Sequence, residues 1–272
     1  SGTMPTAKLT KVFRYGTSGL ATITTDTRQG RIGHRNATNY PDYHFVAMDD
    51  SPLKQIENVY NKLLDKYNRD DIMILSPYNT GDLGTYAINN IIQKRYNSHK
   101  DTNATRQVGK NYTIMYKVGD KVINTHNEYK MPVYITDEYG EIISDDDNTI
   151  QVMNGDMGII RSVKCDNDKI ELSVEFDTGL AYVTGARLNN LLLGYAITTH
   201  KSQGSESKAV IVVIGQQHER LLSRNLLYVA DSRAKEELIE IGDIQAIAVG
   251  LKRVENKSRE TWLCELLKEE SK

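Results

Sequence analysis

Residues 195–215 read YAITTHKSQGSESKAVIVVIG, and after a charged gap residues 223–243 read SRNLLYVADSRAKEELIEIGD. The first piece crowds hydroxyls, an imidazole, an ammonium and an amide into a turn that closes at Gly204. A carboxylate at Glu206 and an apolar strand candidate at 209–214 follow directly. Such a turn presents donors to an anion. The second piece sets Arg224, Tyr228 and Arg233 around a short apolar helix candidate that runs into another strand candidate at 238–241. A guanidinium on a rigid element suits phosphate, because its planar fork makes two charge-assisted bonds at once. At 3.6 residues per turn Arg224 and Arg233 cannot share one edge of a helix at one level. One is therefore available to a ligand while the other anchors the helix.

The 272 residues can hold one large or two modest domains. A formal net charge of -2 gives no global basic footprint, so any nucleic-acid binding must be local, in a cleft. Cys165 and Cys264 lack zinc-ligand spacing and read as reduced thiols of an intracellular protein. No apolar run is long enough to cross a bilayer and no signal peptide is visible, so a cytoplasmic protein, or a piece of one, is expected. Residues 1–3, ahead of Met4, read as a tag remnant.

Outward from the central stretch, Leu53, Ile56, Val59, Tyr60, Leu63, Leu64 and Tyr67 recur at helical period and predict a helix. Residues 71–75, DIMIL, predict a strand. With the loop SPYNTGDLG and a helix over 85–95 it makes one α/β unit. A helix over 21–30 and a strand over 45–48 come earlier. From Tyr112 the period changes to two, predicting strands at 112–115, 121–125, 158–163, 170–176 and 180–183, the pattern of a small barrel. The tract 97–110, with Lys100, Arg106 and Lys110, reads as a polar, solvated connection. Residues 188–193 read as an apolar helix delivering the 198–204 turn. Residues 258–268 read as a last amphipathic helix, with Trp262 and Leu266 on its apolar stripe.

The two central pieces resemble the fifth and sixth motifs of superfamily 1 DNA helicases in the RecD-like branch, with patterns YA.T.HKSQGSE and RNLLYVA.TRAK; Ser232 stands where Thr is usual. The resemblance extends to a fourth motif at Gly84, Ile88, Asn89 and Gln93, although Tyr78 and Asn79 replace the basic residue many relatives carry in that turn. It also extends to an SH3-like module at Val118, Gly119, Asp120, Val122, Thr125, Asn127, Tyr129, the 154–156 turn, Gly158 and Ile160. An aromatic-arginine pair at Phe13 and Arg14 matches a further family feature. The implied fold class is α/β: a RecA-like, P-loop NTPase-type second motor domain without its own P-loop, carrying an inserted small SH3-like β-barrel. Residues 9–115 and 188–270 would form domain 2A, and residues 116–187 domain 2B.

The resemblance also implies roles. Arg233 would be the arginine finger, with Arg14 near the terminal phosphate, Phe13 stacking on adenine, and Gly204 and Glu206 close to the nucleotide. Thr198, Thr199, His200 and Lys201 would grip the DNA backbone. Asn127 and Tyr129 suit either a capped turn with a core tyrosine or a surface that guides single-stranded DNA.

No GxxxxGK[ST] sequence is present, and no acidic pair after an apolar strand takes the role of holding Mg²⁺ beside such a loop. ATP and Mg²⁺ are therefore expected only in a full-length protein, bound by a domain 1A in cis. The fragment alone is expected to show no appreciable ATPase activity. Single-stranded DNA, RecBC-like subunits, or phage or plasmid replication proteins are the partners implied. Two other classes compete. One is a non-catalytic nucleic-acid-binding or protein-interaction module derived from a helicase. The other is a metal-dependent nuclease built on the aspartates 145–147 or on Asp49 and Asp50; the plain reading of 145–147 is a solvated hairpin tip.

Overall fold

The computed structural model describes residues 18–36, 40–136, 142–143, 148–167, 169–254 and 262. Phe13 and Arg14, the aspartates 145–147, and all of the 258–268 helix except Trp262 lie outside these residues. In chain order come α1 (Gly19–Gln29), β1 (Tyr43–Ala47), α2 (Pro52–Leu64), β2 (Ile72–Ser76), α3 (Thr85–Tyr96), β3 (Thr105–Val108), β4 (Tyr112–Met115) and β5 (Lys121–Asn124). Then follow β6 (Glu128–Pro132), β7 (Ile135–Thr136), β8 (Ile142–Ile143), β9 (Thr149–Val152), β10 (Met157–Asp166), β11 (Lys169–Phe176) and β12 (Gly179–Thr184). The chain continues through β13 (Leu191–Leu193), β14 (Ala196–Thr198), β15 (Ser207–Ile214), α4 (Arg224–Asp231), β16 (Ala234–Gly242) and α5 (Ile244–Lys252).

The apolar runs at 72–76, 207–214 and 234–242 lie in a parallel sheet ordered β1-β16-β15-β2-β14. Its central strands β2, β15 and most of β16 are buried on both faces, and successive side chains serve opposite layers. Ile72 and Ile74 pack with α2, α3 and the β-rich insert. Met73 and Leu75 pack with α1, α4 and α5. Helices α1 and α5 begin where side chains cap them. Ser18 accepts the Ala21 N–H, Asp42 accepts the Gly19 and Leu20 N–H groups, and Asp243 accepts two N–H groups of α5.

The insert is an antiparallel sheet ordered β12-β11-β10-β5-β13, with the hairpin β3-β4 and the pair β6-β9 beside it. Two expectations are corrected here. Residues 188–193 are not a helix: a 3-10 turn, Gly185–Asn190, leads into β13, which pairs with β5 from Leu191↔Asn124 to Leu193↔Val122. An open sheet edge supplies the partners, and three apolar residues are too few to reveal a period of two. Residues 97–110 are not merely a solvated connection either. They contain β3, and the Arg106 guanidinium turns inward to donate to the Tyr116 hydroxyl at 2.9 Å and the Leu191 carbonyl at 2.8 Å.

Asp120 joins the insert to the parallel sheet. Its buried carboxylate accepts from Gln93 Nε2 (2.6 Å), Asn97 Nδ2 (2.7 Å), the Lys117 N–H (2.8 Å) and the Tyr195 hydroxyl (2.9 Å). Lys121 makes a second tie, its ammonium reaching the Asp70 and Ile72 carbonyls at 2.9 and 3.0 Å. Burial lowers its pKa to about 8.

Candidate nucleic-acid interface

β14 ends at Thr198, level with Ser76 of β2, whereas Ala209 of β15 is level with Ile72 on the other side of β2. Residues 199–206 therefore cross back over β2 from one edge of the sheet toward the other, roughly 13 Å along the strand direction. The crossing is tightly wound. Thr199 N–H donates to the Ser76 carbonyl, Ser202 N–H to Thr198, Gln203 N–H to His200 and Ser205 N–H to Ser202. Gly204 sits at φ +90°, which a side chain would strain.

Within this crossover Thr198 and Thr199 are buried, His200 is exposed and Lys201 is half-buried. The Lys201 ammonium has no carboxylate partner among the described residues, and desolvation lowers its pKa. A cation drawn out of water without a counter-charge is costly, and an anionic ligand removes that cost. Clefts open on both sides of the turn. One, of about 140 Å³, lies between Thr199, His200, Gln203 and the α4 residues Asn225 and Val229. The other, narrower, places Thr198 and Lys201 against Asn79, Thr85 and Tyr86.

The insert approaches the same turn. Asn127 Oδ1 accepts the Asn154 N–H at 2.9 Å, and a Cβ on the adjacent Gly155 would lie 3.8 Å from the Lys201 carbonyl oxygen. Tyr129 is 60% exposed, and its hydroxyl meets Asn127 Nδ2 at 3.4 Å, so its ring is outside the core.

The two arginines divide their work. Arg224 Nε donates to the Leu251 carbonyl at 2.9 Å and anchors α4 to α5. Arg233 lies just past the end of α4. Its Nε donates to the Val229 carbonyl, Nη1 to Ser205 at 3.1 Å and Ser202 at 3.4 Å, and Nη2 to the Ser232 hydroxyl. Its guanidinium thus holds the Ser202 and Ser205 end of the crossover. The nearby carboxylates Asp231 and Glu237 pair with Arg35 and Lys66. Glu206 faces Lys235 at 3.6 Å. The structure brings the Arg233 guanidinium against the turn that carries Gly204 and follows the 198–201 segment.

Among the described residues no group of three potential metal ligands occurs. Asp49, one of the aspartates considered for a metal, accepts the Ser51 N–H ahead of α2. Sequence reasoning missed the Ser202 and Ser205 carbonyls, Tyr86 and the Asp120 hub. Their roles arise from contacts between distant segments, and only the VGD turn hinted at one of them.

The geometry can be set beside known proteins. A family model of the ATP-dependent RecD-like DNA helicase SH3 domain matches residues 88–176, and one of the UvrD-like helicase C-terminal domain matches residues 193–239. The ATP-dependent RecD2 DNA helicase of Deinococcus radiodurans is 26% identical over 97% of this chain, which spans 32% of that protein. The RecBCD enzyme subunit RecD of Mycobacterium tuberculosis is 30% identical over 41% of this chain and 19% of its own length. A crystal structure of Pif1 helicase from Candida albicans covers 96% of this chain and 59% of its own, at 15% identity and a TM-score of 0.46. The chain spans about a third or less of the length of these curated relatives. It is a superfamily 1 helicase-related α/β domain with an SH3-like insert, related to RecD-type helicases.

Proposed function

We propose that this chain is the C-terminal motor half of an ATP-dependent 5′–3′ DNA helicase, a RecA-like domain 2A with an SH3-like 2B insert, that grips single-stranded DNA through residues 198–201. The observation that carries this is the crossover of residues 199–206. One short turn presents a half-buried ammonium at Lys201 with no carboxylate partner among the described residues, and the Arg233 guanidinium holds its far end through the Ser202 and Ser205 carbonyls. A change at either end has a direct mechanical route to the other.

The chain has no phosphate-binding loop, so ATP and Mg²⁺ would be held by a domain 1A elsewhere in the full-length protein. Phe13 and Arg14 would contribute on the adenine and phosphate sides, with Gly204 and Glu206 near the nucleotide. Arg233 would leave two neutral carbonyl acceptors for a phosphate, the stronger partner for a guanidinium, and its departure would loosen the turn that holds Lys201. Asn127 and Tyr129 of the insert would border the same strand.

The test is single-strand-stimulated ATP hydrolysis by the full-length protein, with Arg233→Ala beside the wild type. The expected result is turnover reduced by about 10³-fold or more, as for other arginine fingers, with nucleotide binding retained. Unchanged turnover overturns the assignment and favours a DNA-binding module without a motor role.

A further inference from the structure

Beyond the turn, a groove of about 510 Å³ lies between the start of α3 and the tip of the β3-β4 hairpin, lined by Tyr86, Asn90, Lys110, Asn111 and Tyr112. We propose that it is a second subsite for single-stranded DNA, seating one base against Tyr86 and an adjoining phosphate on Lys110. The proposal rests on the reading of residues 198–201 as a DNA grip and extends the strand's path beyond it.

Three observations converge. The first is adjacency: Tyr86 and Tyr112 line both this groove and the narrow cleft that contains Thr198 and Lys201, so the two hollows adjoin at this pair of rings. The second is charge. Among the described residues no carboxylate lines either of these hollows or the cleft beside His200, and between them they carry Lys110 and Lys201. The hollow beside residues 204–207 contains Asp70, Asp156 and Glu206, and the one beside the end of α2 contains Asp65, Asp71 and Glu236. In a chain of net charge -2, an acid-free strip through the turn is a specific complement to a phosphodiester backbone.

The third is a prepared ring. Tyr86 is stacked on Tyr112 with centroids 4.0 Å apart and planes 6° from parallel. Its orientation is therefore fixed before a base arrives, and little side-chain entropy remains to be lost. The Tyr112 hydroxyl, buried behind it, has no hydrogen-bond partner among the described residues. The hairpin carries Lys110 next to Gly109, whose φ of +63° makes the tight tip, and the lysine is exposed. Stacking on such a ring is tolerant of sequence, as a translocating protein requires.

The experiment measures binding of the full-length protein to oligo-dT of roughly 4 to 16 nucleotides, comparing Lys110→Glu, Tyr86→Ala and Lys201→Gln with the wild type. Lys201→Gln should weaken binding at every length. Lys110→Glu and Tyr86→Ala should match the wild type on the shortest strands and lose roughly tenfold on the longest. For Lys110→Glu the salt dependence on long strands should also fall by about 0.7 in slope, one phosphate contact. If Lys201→Gln weakens binding while the other two variants match the wild type at all lengths, the second subsite is overturned and the first grip stands. An equal loss at every length for Lys110→Glu overturns it too, by placing Lys110 in the first grip. If Lys201→Gln changes nothing, the underlying reading fails and the subsite fails with it. Lys110 lies on an exposed hairpin tip, so its variant decides the matter even if Tyr86→Ala does not fold.

Discussion

Arg35 is fully buried, and it holds the end of α4 two residues ahead of Arg233. Its Nη2 donates to Asp231 Oδ2 and Thr27 Oγ1, each at 2.8 Å, and its Nε lies 2.9 Å from Glu240 Oε2. Tyr43 also donates to Glu240. One guanidinium thus faces two carboxylates in a fully buried site, and a proton is the cheapest way to balance them. Burial, with the Glu240 charge adding and Arg35 opposing, pushes Asp231 up to about 8. The sign follows from linkage: the folded protein retains a proton that the unfolded chain releases near the ordinary carboxylate value. The stabilisation is complete at low pH and is lost as pH rises through about 8. Urea unfolding should therefore show stability falling between acidic and mildly alkaline pH, by on the order of 1 kcal/mol per pH unit for one proton. Asp231→Asn should flatten that slope, and an unchanged slope would remove Asp231 as its source. None of this cluster was legible in the sequence. Asp231 and Glu240 lie 196 and 205 residues from Arg35, and no local pattern pairs them.

At the scale of elements, the polar residues of the fourth motif act as staples. The fourth-motif Asn89 donates to the Leu193 and Ala196 carbonyls and accepts the Ala196 N–H, so it fixes the entry to β14 and the turn behind it. Gln93 serves Asp120 and the Met115 carbonyl. Gly84 lies too close to the Thr80 and Asn79 carbonyls for a Cβ. Asp120→Ala would strand four donors from α3, the insert and β14's approach. The expected loss is about 3 kcal/mol or more in denaturant unfolding, while Asp120→Asn, which keeps acceptor capacity on one atom, should lose less. Equal losses would show that volume, not hydrogen bonding, matters there. Long periodic elements such as α2 and β15 were readable because burial imposes a repeat over many residues. β13 and the hairpin strand β3 were not, because each is short and defined by its pairing partner, not by its own sequence.

For the whole molecule the decisive fact is that the insert is not a separate bead. Ile74 and Ile211 of the parallel sheet belong to the same buried cluster as Val122, Ile160 and Val174 of the insert. A shared core predicts a single cooperative transition. Hydrogen exchange in rising denaturant should then expose β15 and β10–β11 peptides together. Lys121 offers a way to uncouple them, because its ammonium satisfies the Asp70 and Ile72 carbonyls across the junction. Lys121→Met would keep the aliphatic stem but leave both carbonyls unpaired, a cost of about 1–3 kcal/mol for each group that stays buried. The variant's β10–β11 peptides should exchange at lower denaturant than those of β15. Joint exchange in the variant would mean that the apolar contacts and Asp120 hold the junction without the lysine. Such a junction matters for the proposed motor, because a rigid joint would carry Asn127 and Lys110 with Lys201 as one body when the domain moves along a strand.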